Sequence, residues 1–502
     1  MMIMMLFPKE KTLLLLSSAI IILLCISVSA LSLDSGIASI RNTGTIKTLG
    51  EYPSSTFTYR IFRNSTSTYR INSAGVVDDH NSDPAVVINN ALWDCSSVHG
   101  GSIYVVPNTY LTSTFIGGNP LYTNDFSNIY LLLGNGTIIQ RSGGTGDGDY
   151  IFYLNGAGAG TTFTNFTLAS NGTAYLNSAG YCNGVCVTQS LNFTMYNITV
   201  QHTYGAGIFL RQCRYPDIEN VSVFSNSEHY AAMIMLLSDV QYGTFKHLNL
   251  DGNCSAYSAE GLYLGDSDSN VNWNGSYFNT FSDIWVHNVR QNGIYLSSSE
   301  DIYGTYNNTF TNCTIENNWA DGYFGIKLRP AKNNTFTNIV MRNMTGGVTT
   351  GTTYDASSPY NCTGNSVQAT CYNMKTQPFT LTTDGDNQSV DHNFFNLTIS
   401  NSPGTYFSSG TNSKLYDNTI YISMTNCTIG LYFEEGYIQD NVFVANFLNC
   451  GAAGHADIWF YNSPTDPNIA RNTIYILSES GNPHGQLEGS LGTNQIFNGP
   501  PP

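Results

Sequence analysis

Gly261-Leu-Tyr-Leu264, Gly293-Ile-Tyr-Leu296 and Gly325-Ile-Lys-Leu328 repeat one four-residue pattern: glycine, apolar, variable, apolar. The pattern extends both ways along the chain. Gly207-Ile-Phe-Leu210 and Met233-Ile-Met-Leu236 precede it, and Pro378-Phe-Thr-Leu381, Gly404-Thr-Tyr-Phe407, Gly430-Leu-Tyr-Phe433 and Asp457-Ile-Trp-Phe460 follow. Successive first residues are 26, 28, 32, 32, 53, 26, 26 and 27 apart, and the 53 reads as two turns. Alternation within a short strand sends the two apolar side chains to one face and the variable one to the other.

A second strand type sits between these, opening with Asn-Thr-Phe or Asn-Thr-Ile at Asn279, Asn308, Asn334, Asn418 and Asn472. Two or three short strands per period of about 28 residues, with Asn, Gly and Ser at the turns, predict a coil of parallel strands stacked about 4.8 Å apart. The recurring Asn predicts an amide ladder that pairs backbone groups at the tight bends. Propeller blades of about 40 to 50 residues are too long for this period, and the leucine-rich consensus is absent.

The open end of such a coil needs a cap. Ser82-Asp83-Pro84 is an N-cap signal with proline at the first helical turn, and Ala85, Ile88, Ala91, Leu92 and Cys95 share one face, so a helix is predicted near 84–95. Gly100-Gly101-Ser-Ile-Tyr-Val-Val-Pro107-Asn-Thr-Tyr-Leu111 then reads as a first strand pair broken by a proline turn.

The segment from Asp79 to Leu111 resembles the N-terminal module of pectate-lyase-like right-handed β-helix proteins. There an acidic residue, a capping helix, Gly-Gly-x-h-x-h-Pro and x-Gly-Thr-Tyr-x follow one another, and Asn108 stands here where the family commonly has Gly. With the downstream coils, the resemblance covers about residues 76–490. It implies an all-β, single-stranded right-handed parallel β-helix with an N-terminal capping helix. The organisation expected is a signal peptide at 1–30, a lead-in at 31–75 similar to that of archaeal secreted relatives, the β-helix at 76–490, and a tail at 491–502. Members of the superfamily include polysaccharide lyases, glycoside hydrolases, epimerases, phage depolymerases and adhesins, so the fold leaves the activity open.

Composition narrows the setting. Of 502 residues only 11% are charged, against roughly 25% in ordinary soluble domains, so the surface is built from uncharged polar groups. A net charge of -16 argues against nucleic acid and anionic membrane surfaces as partners. Lys9 and Lys11 precede an apolar run from Leu13 to Val28, and Val28-Ser29-Ala30 is a small-residue cleavage pattern, which predicts a secreted or cell-surface protein starting near Leu31. No transmembrane domain is expected unless that signal stays uncleaved. Ten of the 11 Cys follow the signal, an even number suited to disulfides, with Cys182/Cys186 and Cys362/Cys371 the local pairs expected. Seventeen Asn-x-Ser/Thr acceptors are present, from Asn64 to Asn426.

Acidic residues gather just after the repeated strand: Asp266 and Asp268, then Glu300 and Asp301, with Lys327, Arg329 and Lys332 on the next coil. Asp268, Glu300 and Lys332 share one offset, which predicts that adjacent coils bring them together. Asp266, Asp268, Glu300, Asp301 and Arg329 are therefore the candidate catalytic residues. Two such carboxylates would serve as general acid and base, or would hold Ca²⁺ while Lys or Arg abstracts a proton; no metal-ligand spacing fixes a site, and no other cofactor is implied. Asn-Thr-Asp, Gly-His-Gly and Arg-x-Lys, the signatures of the polygalacturonase-like branch, are missing from the coils.

The variable position of the repeat reads Phe209, Met235, Tyr263, Tyr295, Lys327, Thr380, Tyr406, Tyr432 and Trp459, six of nine aromatic. Rings facing solvent at coil spacing would offer flat apolar area with polar tips to sugar rings. Tyr263, Tyr295, Lys327, Tyr406, Tyr432 and Trp459 are thus the candidate substrate-binding residues, expected to face solvent along one groove. Two classes stay open: a noncatalytic protein binding polysaccharide or surface glycans, and a polysaccharide lyase or glycoside hydrolase using the acidic turns.

Overall fold

The computed structural model describes residues 57–502, apart from the segments 118–125, 157–161, 179–180, 226–231, 253–258, 266–274, 298–304, 318–322, 352–360, 384–387, 411, 452–455, 462–467 and 481–486. The chain clusters into two units, Met1–Thr56 and Phe57–Pro502. The second unit is a parallel β-solenoid whose described residues form a 21-stranded, a 15-stranded and a 7-stranded sheet. Almost every pairing joins a strand to its equivalent one coil on, in parallel and in register. The antiparallel exceptions are Tyr59–Arg63 with Thr68–Asn72, and Thr68–Asn72 with Val77–Asn81, at the N-terminal end.

The expected cap is present as the helix Pro84–Ser97. Asp83 is its N-cap, its carboxylate accepting from the Ala85 N–H at 2.9 Å, with Pro84 in the first turn where no N–H is needed. The apolar face Ala85, Ile88, Ala91, Leu92 and Cys95 is fully buried in the main core. Gly101–Val105 and Thr109–Thr112 are the strand pair on either side of Pro107.

The Gly-apolar-x-apolar strands stack as the 15-stranded sheet. Its inward column runs through Ile208, Met235, Leu262, Ile294, Ile326, Val348 and Phe379, all fully buried. The gap of 53 residues is two turns, and Gly346–Thr350 is the intervening rung. One register expectation fails. Met235 pairs with Ile208 and Leu262 and points inward, and Leu236 occupies the outward column between Phe209 and Tyr263. In a run of consecutive apolar residues, alternation has no contrast, so only the neighbouring coils set the register.

The Asn-Thr-Phe strands stack in the 21-stranded sheet. Phe245, Phe281, Phe310 and Phe336 form a buried pile with ring centroids 4.7, 4.5 and 4.4 Å apart. Beside it runs the asparagine ladder Asn279, Asn308, Asn334, Asn365, Asn393, Asn418, Asn441, Asn472 and Asn494. At each step the backbone N–H and the side-chain amide of one Asn both donate to Oδ1 of the next, as from Asn308 to Asn334 at 3.0 and 3.0 Å. The second amide hydrogen goes to a carbonyl of the preceding bend, for example Asn334 to Thr305 at 3.0 Å. Asn307 and Asn333, just before the ladder positions, turn the corner with φ near +55°, a conformation Asn tolerates better than most residues. The doubled Asn therefore has two jobs, one outside the bend and one inside.

The expected disulfides do not form. All nine described cysteines are buried free thiols. Cys182 and Cys186 lie on one strand, Tyr181–Leu191, where four residues of extended chain span roughly 13 Å. That is beyond the roughly 7 Å reach of a disulfide. Cys362 and Cys371 sit in different sheets, their Sγ atoms turned to the carbonyls of Leu328 and Pro378.

Candidate functional site

The outward column of the 15-stranded sheet reads, in register, Phe209, Leu236, Tyr263, Tyr295, Lys327, Thr349, Thr380 and Tyr406, and continues through the rung of Tyr432 to Trp459 and Glu488. The expected single line is two clusters, parted by the buried rungs of Thr349 and Thr380.

In the first cluster Tyr263 and Tyr295 are 6% and 9% exposed, not solvent-facing as the alternation predicts. They pack with Leu236 and Phe209 into a small apolar cluster of their own, rings 4.9 Å apart. The Tyr263 ring lies over Gly265, where a Cβ would come within 3.1 Å of its Cζ. Arg329 donates to the Tyr295 hydroxyl at 3.2 Å, and the Lys327 ammonium sits 5.2 Å over the Tyr295 ring. Four predicted residues thus meet: Tyr263, Tyr295, Lys327 and Arg329.

The same cluster contains a residue the sequence reading missed. Glu260, just before Gly261, is 6% exposed and accepts from the Asn292 backbone N–H at 2.8 Å and from its side-chain amide at 3.2 Å. Burial pushes its carboxyl up to about 7, although the Asn292 hydrogen bonds and the Lys327 charge pull the other way. Burial and the neighbouring Tyr295 likewise raise the Tyr263 phenol. The only sequence signal for Glu260 is an acid at the mouth of a repeat strand in a chain with few charges.

Asp266, Asp268, Glu300 and Asp301 fall outside the described residues. Lys332, expected beside Asp268 and Glu300, pairs with Tyr306 in the 7-stranded sheet. Among the described residues no group of three or more His, Cys, Asp or Glu side chains is placed to hold a metal ion.

The second cluster is open. Tyr406, Tyr432 and Trp459 are half-buried and follow one another at 5.7 and 4.6 Å between ring centroids. Tyr461, 54% exposed, meets Trp459 edge-on at 5.5 Å. Tyr406 donates its hydroxyl to Glu434. Burial and Glu434 push both the Tyr406 and Tyr432 phenols up to about 12, so both stay protonated donors at neutral pH. The result is a continuous aromatic surface whose polar edge is lined by phenols and a carboxylate. Glu434 and Tyr461 were not foreseen, because they lie outside the four-residue pattern.

No family model and no curated protein matches this chain. Solved structures do. The tailspike protein of E. coli bacteriophage HK620, a double mutant in complex with a pentasaccharide, superimposes with a TM-score of 0.53 at 12% identity, over 84% of this chain and 75% of that one. The family 28 exopolygalacturonase of Yersinia enterocolitica gives 0.47 at 9% identity, over 87% and 83%. The fold is a right-handed parallel β-helix. At such identities the likeness concerns the β-helix alone.

Proposed function

We propose that this β-helix is a secreted or cell-surface protein that binds glycan chains on the outward face of its 15-stranded sheet, at Tyr406, Tyr432, Trp459 and Tyr461. The observation that carries the reading is the half-exposed aromatic run on successive rungs with Glu434 at its edge. Flat rings cover the apolar face of a sugar, while phenols and a carboxylate take its hydroxyls. A chain of charge -16 favours neutral over acidic glycans. The pentasaccharide on the HK620 tailspike supports the same use of this fold. Export is supported by the acceptor asparagines: Asn253, Asn274 and Asn387 lie outside the described residues, and none of the other fourteen is buried. The test is affinity electrophoresis over neutral and acidic polysaccharides with the double variant Tyr432→Ala/Trp459→Ala. Retention should fall about tenfold or more, each ring contributing on the order of 1 kcal/mol by analogy with aromatic pairs. Unchanged retention on every glycan that the parent protein binds would overturn it.

A second reading, a lyase or glycoside hydrolase, is favoured by Glu260. A carboxyl at about 7 beside Lys327 suits a general acid or base at neutral pH. Asp266, Asp268, Glu300 and Asp301 would supply the partner carboxylate. A reducing-end and unsaturated-product screen, with and without Ca²⁺, decides it: turnover lost in Glu260→Gln and in Asp268→Asn or Glu300→Gln makes the protein an enzyme, and absence of turnover on any glycan it binds removes this reading.

A further inference from the structure

The 21-stranded sheet presents a different outward face. There Trp285 is 42% exposed, yet its indole is held at two points. It lies flat on the His287 ring, centroids 3.9 Å apart and planes at 17°, and its Nε1–H donates to Glu316 Oε1 at 3.1 Å. Glu316 is fixed in turn by the Arg342 Nε at 3.0 Å. His287 is buried beneath: its Nε2 lies 2.7 Å from Asn249 Oδ1 and its Nδ1 2.9 Å from the Asn288 amide nitrogen. An amide oxygen only accepts and an amide nitrogen only donates, so His287 is a neutral imidazole with its proton on Nε2. Asn288 also donates to Asp251 Oδ1 at 2.9 Å.

These groups come from consecutive coils in strict register: Asp251 pairs with His287, His287 with Glu316, and Glu316 with Arg342. A surface indole ordinarily samples several rotamers, and ordering it on binding carries an entropy cost. Here that cost is met before any ligand arrives, which is the preorganisation a binding site needs. One ring with a polar rim is far smaller than the roughly 1,000 Å² of a stable protein interface. Two carboxylates against one guanidinium repel anionic ligands.

We propose that Trp285, with Asp251, Glu316 and Arg342 around it, is a second saccharide subsite that takes one neutral sugar unit. The indole stacks on the apolar face of the sugar, and the carboxylates and guanidinium bond its hydroxyls. Asn249, Asn288 and His287 are positioning residues that act through Trp285. This site shares no side chain with the Tyr432/Trp459 surface and stands or falls separately from it.

The test uses the full chain made without N-glycans, titrated with glucose, galactose, mannose, N-acetylglucosamine and galacturonate while the heat of binding is measured by calorimetry and indole fluorescence is recorded alongside. At least one neutral sugar should bind with a Kd on the order of 1 mM, about -4 kcal/mol. The calorimetric binding should vanish in Trp285→Ala and weaken about fivefold or more in Glu316→Gln. It should persist in Tyr432→Ala/Trp459→Ala. His287→Gln should weaken binding and red-shift the Trp285 emission as the indole loses its stacking partner, a change a merely structural residue would not produce in a still-folded variant. No neutral sugar binding, binding unaffected by Trp285→Ala, or galacturonate binding as well as the neutral sugars would each overturn the proposal.

Discussion

Glu260 accepts two hydrogen bonds from Asn292, from the backbone N–H at 2.8 Å and from the side-chain amide at 3.2 Å, one coil away. A carboxylate so placed gains two donors and loses its water. Desolvation wins, because the folded-state value rises from 4.5 to about 7.

The rise predicts a pH dependence. Between pH 4.5 and 7 the folded protein keeps a proton that the unfolded chain has released, so this group's contribution to stability is full below 4.5 and is lost as pH rises to about 7. A shift of that size corresponds to about 3 kcal/mol. Glu260→Gln should therefore melt higher than the parent at pH 8 and no higher at pH 4. Parallel melting curves across this range would show that Glu260 is not desolvated.

The asparagine ladder predicts a contrast between two asparagines. Asn334 is fully buried, accepts from the Asn308 N–H at 3.0 Å, and donates to Asn365 and Thr305. Asn334→Ala strands the Asn308 N–H, which alone costs about 1–3 kcal/mol. Asn338 is exposed and donates to Asn312 at 2.8 Å from a left-handed turn. Asn338→Gly keeps that backbone free of strain and should cost less than about 1 kcal/mol. Denaturant midpoints of the two variants separate the buried ladder from its surface counterpart.

How much of this was legible depends on contrast between neighbouring residues. Asn-Thr-Phe at 308–310 and 334–336 mixes polar and apolar residues, so its strand, its ladder and its inward Phe could be read directly. Met233 to Leu237 is apolar throughout, and a one-residue slip there leaves no local trace. Gly261-Leu-Tyr-Leu264 and Gly430-Leu-Tyr-Phe433 look alike, yet Tyr263 is buried beside Leu236 and Phe209 while Tyr432 borders Trp459 and exposed Tyr461. That difference belongs to the adjacent coils, which lie about 27 residues away in the chain. Cysteine pairing is non-local in the same sense, because nearness in sequence runs along a strand and nearness in space runs across coils.

Cys427 and Cys450 illustrate the spatial case. Strands Thr419–Thr425 and Val442–Leu448 pair in full register, and the Gly451 N–H donates to the Cys427 carbonyl at 3.1 Å, so the two thiols occupy equivalent places on adjacent coils. Each perturbs the other, Cys427 being raised and Cys450 lowered. A rung spacing of about 4.8 Å falls within the Cα separation a disulfide accepts. In oxidised glutathione, peptide mapping should find a Cys427–Cys450 bridge and none between Cys182 and Cys186 or between Cys362 and Cys371. Either of the last two bridges in folded protein would contradict the register described above.

The sharpest stability contrast lies along the outward column itself. Tyr263 and Tyr295 are 6% and 9% exposed and packed against Leu236 and Phe209, whereas Tyr432 and Trp459 are only half-buried. Removing a buried aromatic ring typically costs about 3–5 kcal/mol, the transfer term plus the cavity left behind. Tyr263→Ala should therefore lower the melting temperature strongly. Tyr432→Ala leaves no closed cavity and should lower it far less. Equal losses in the two variants would mean that the outward column is one structural ladder, and the division into a buried cluster and an open glycan surface would have to be given up.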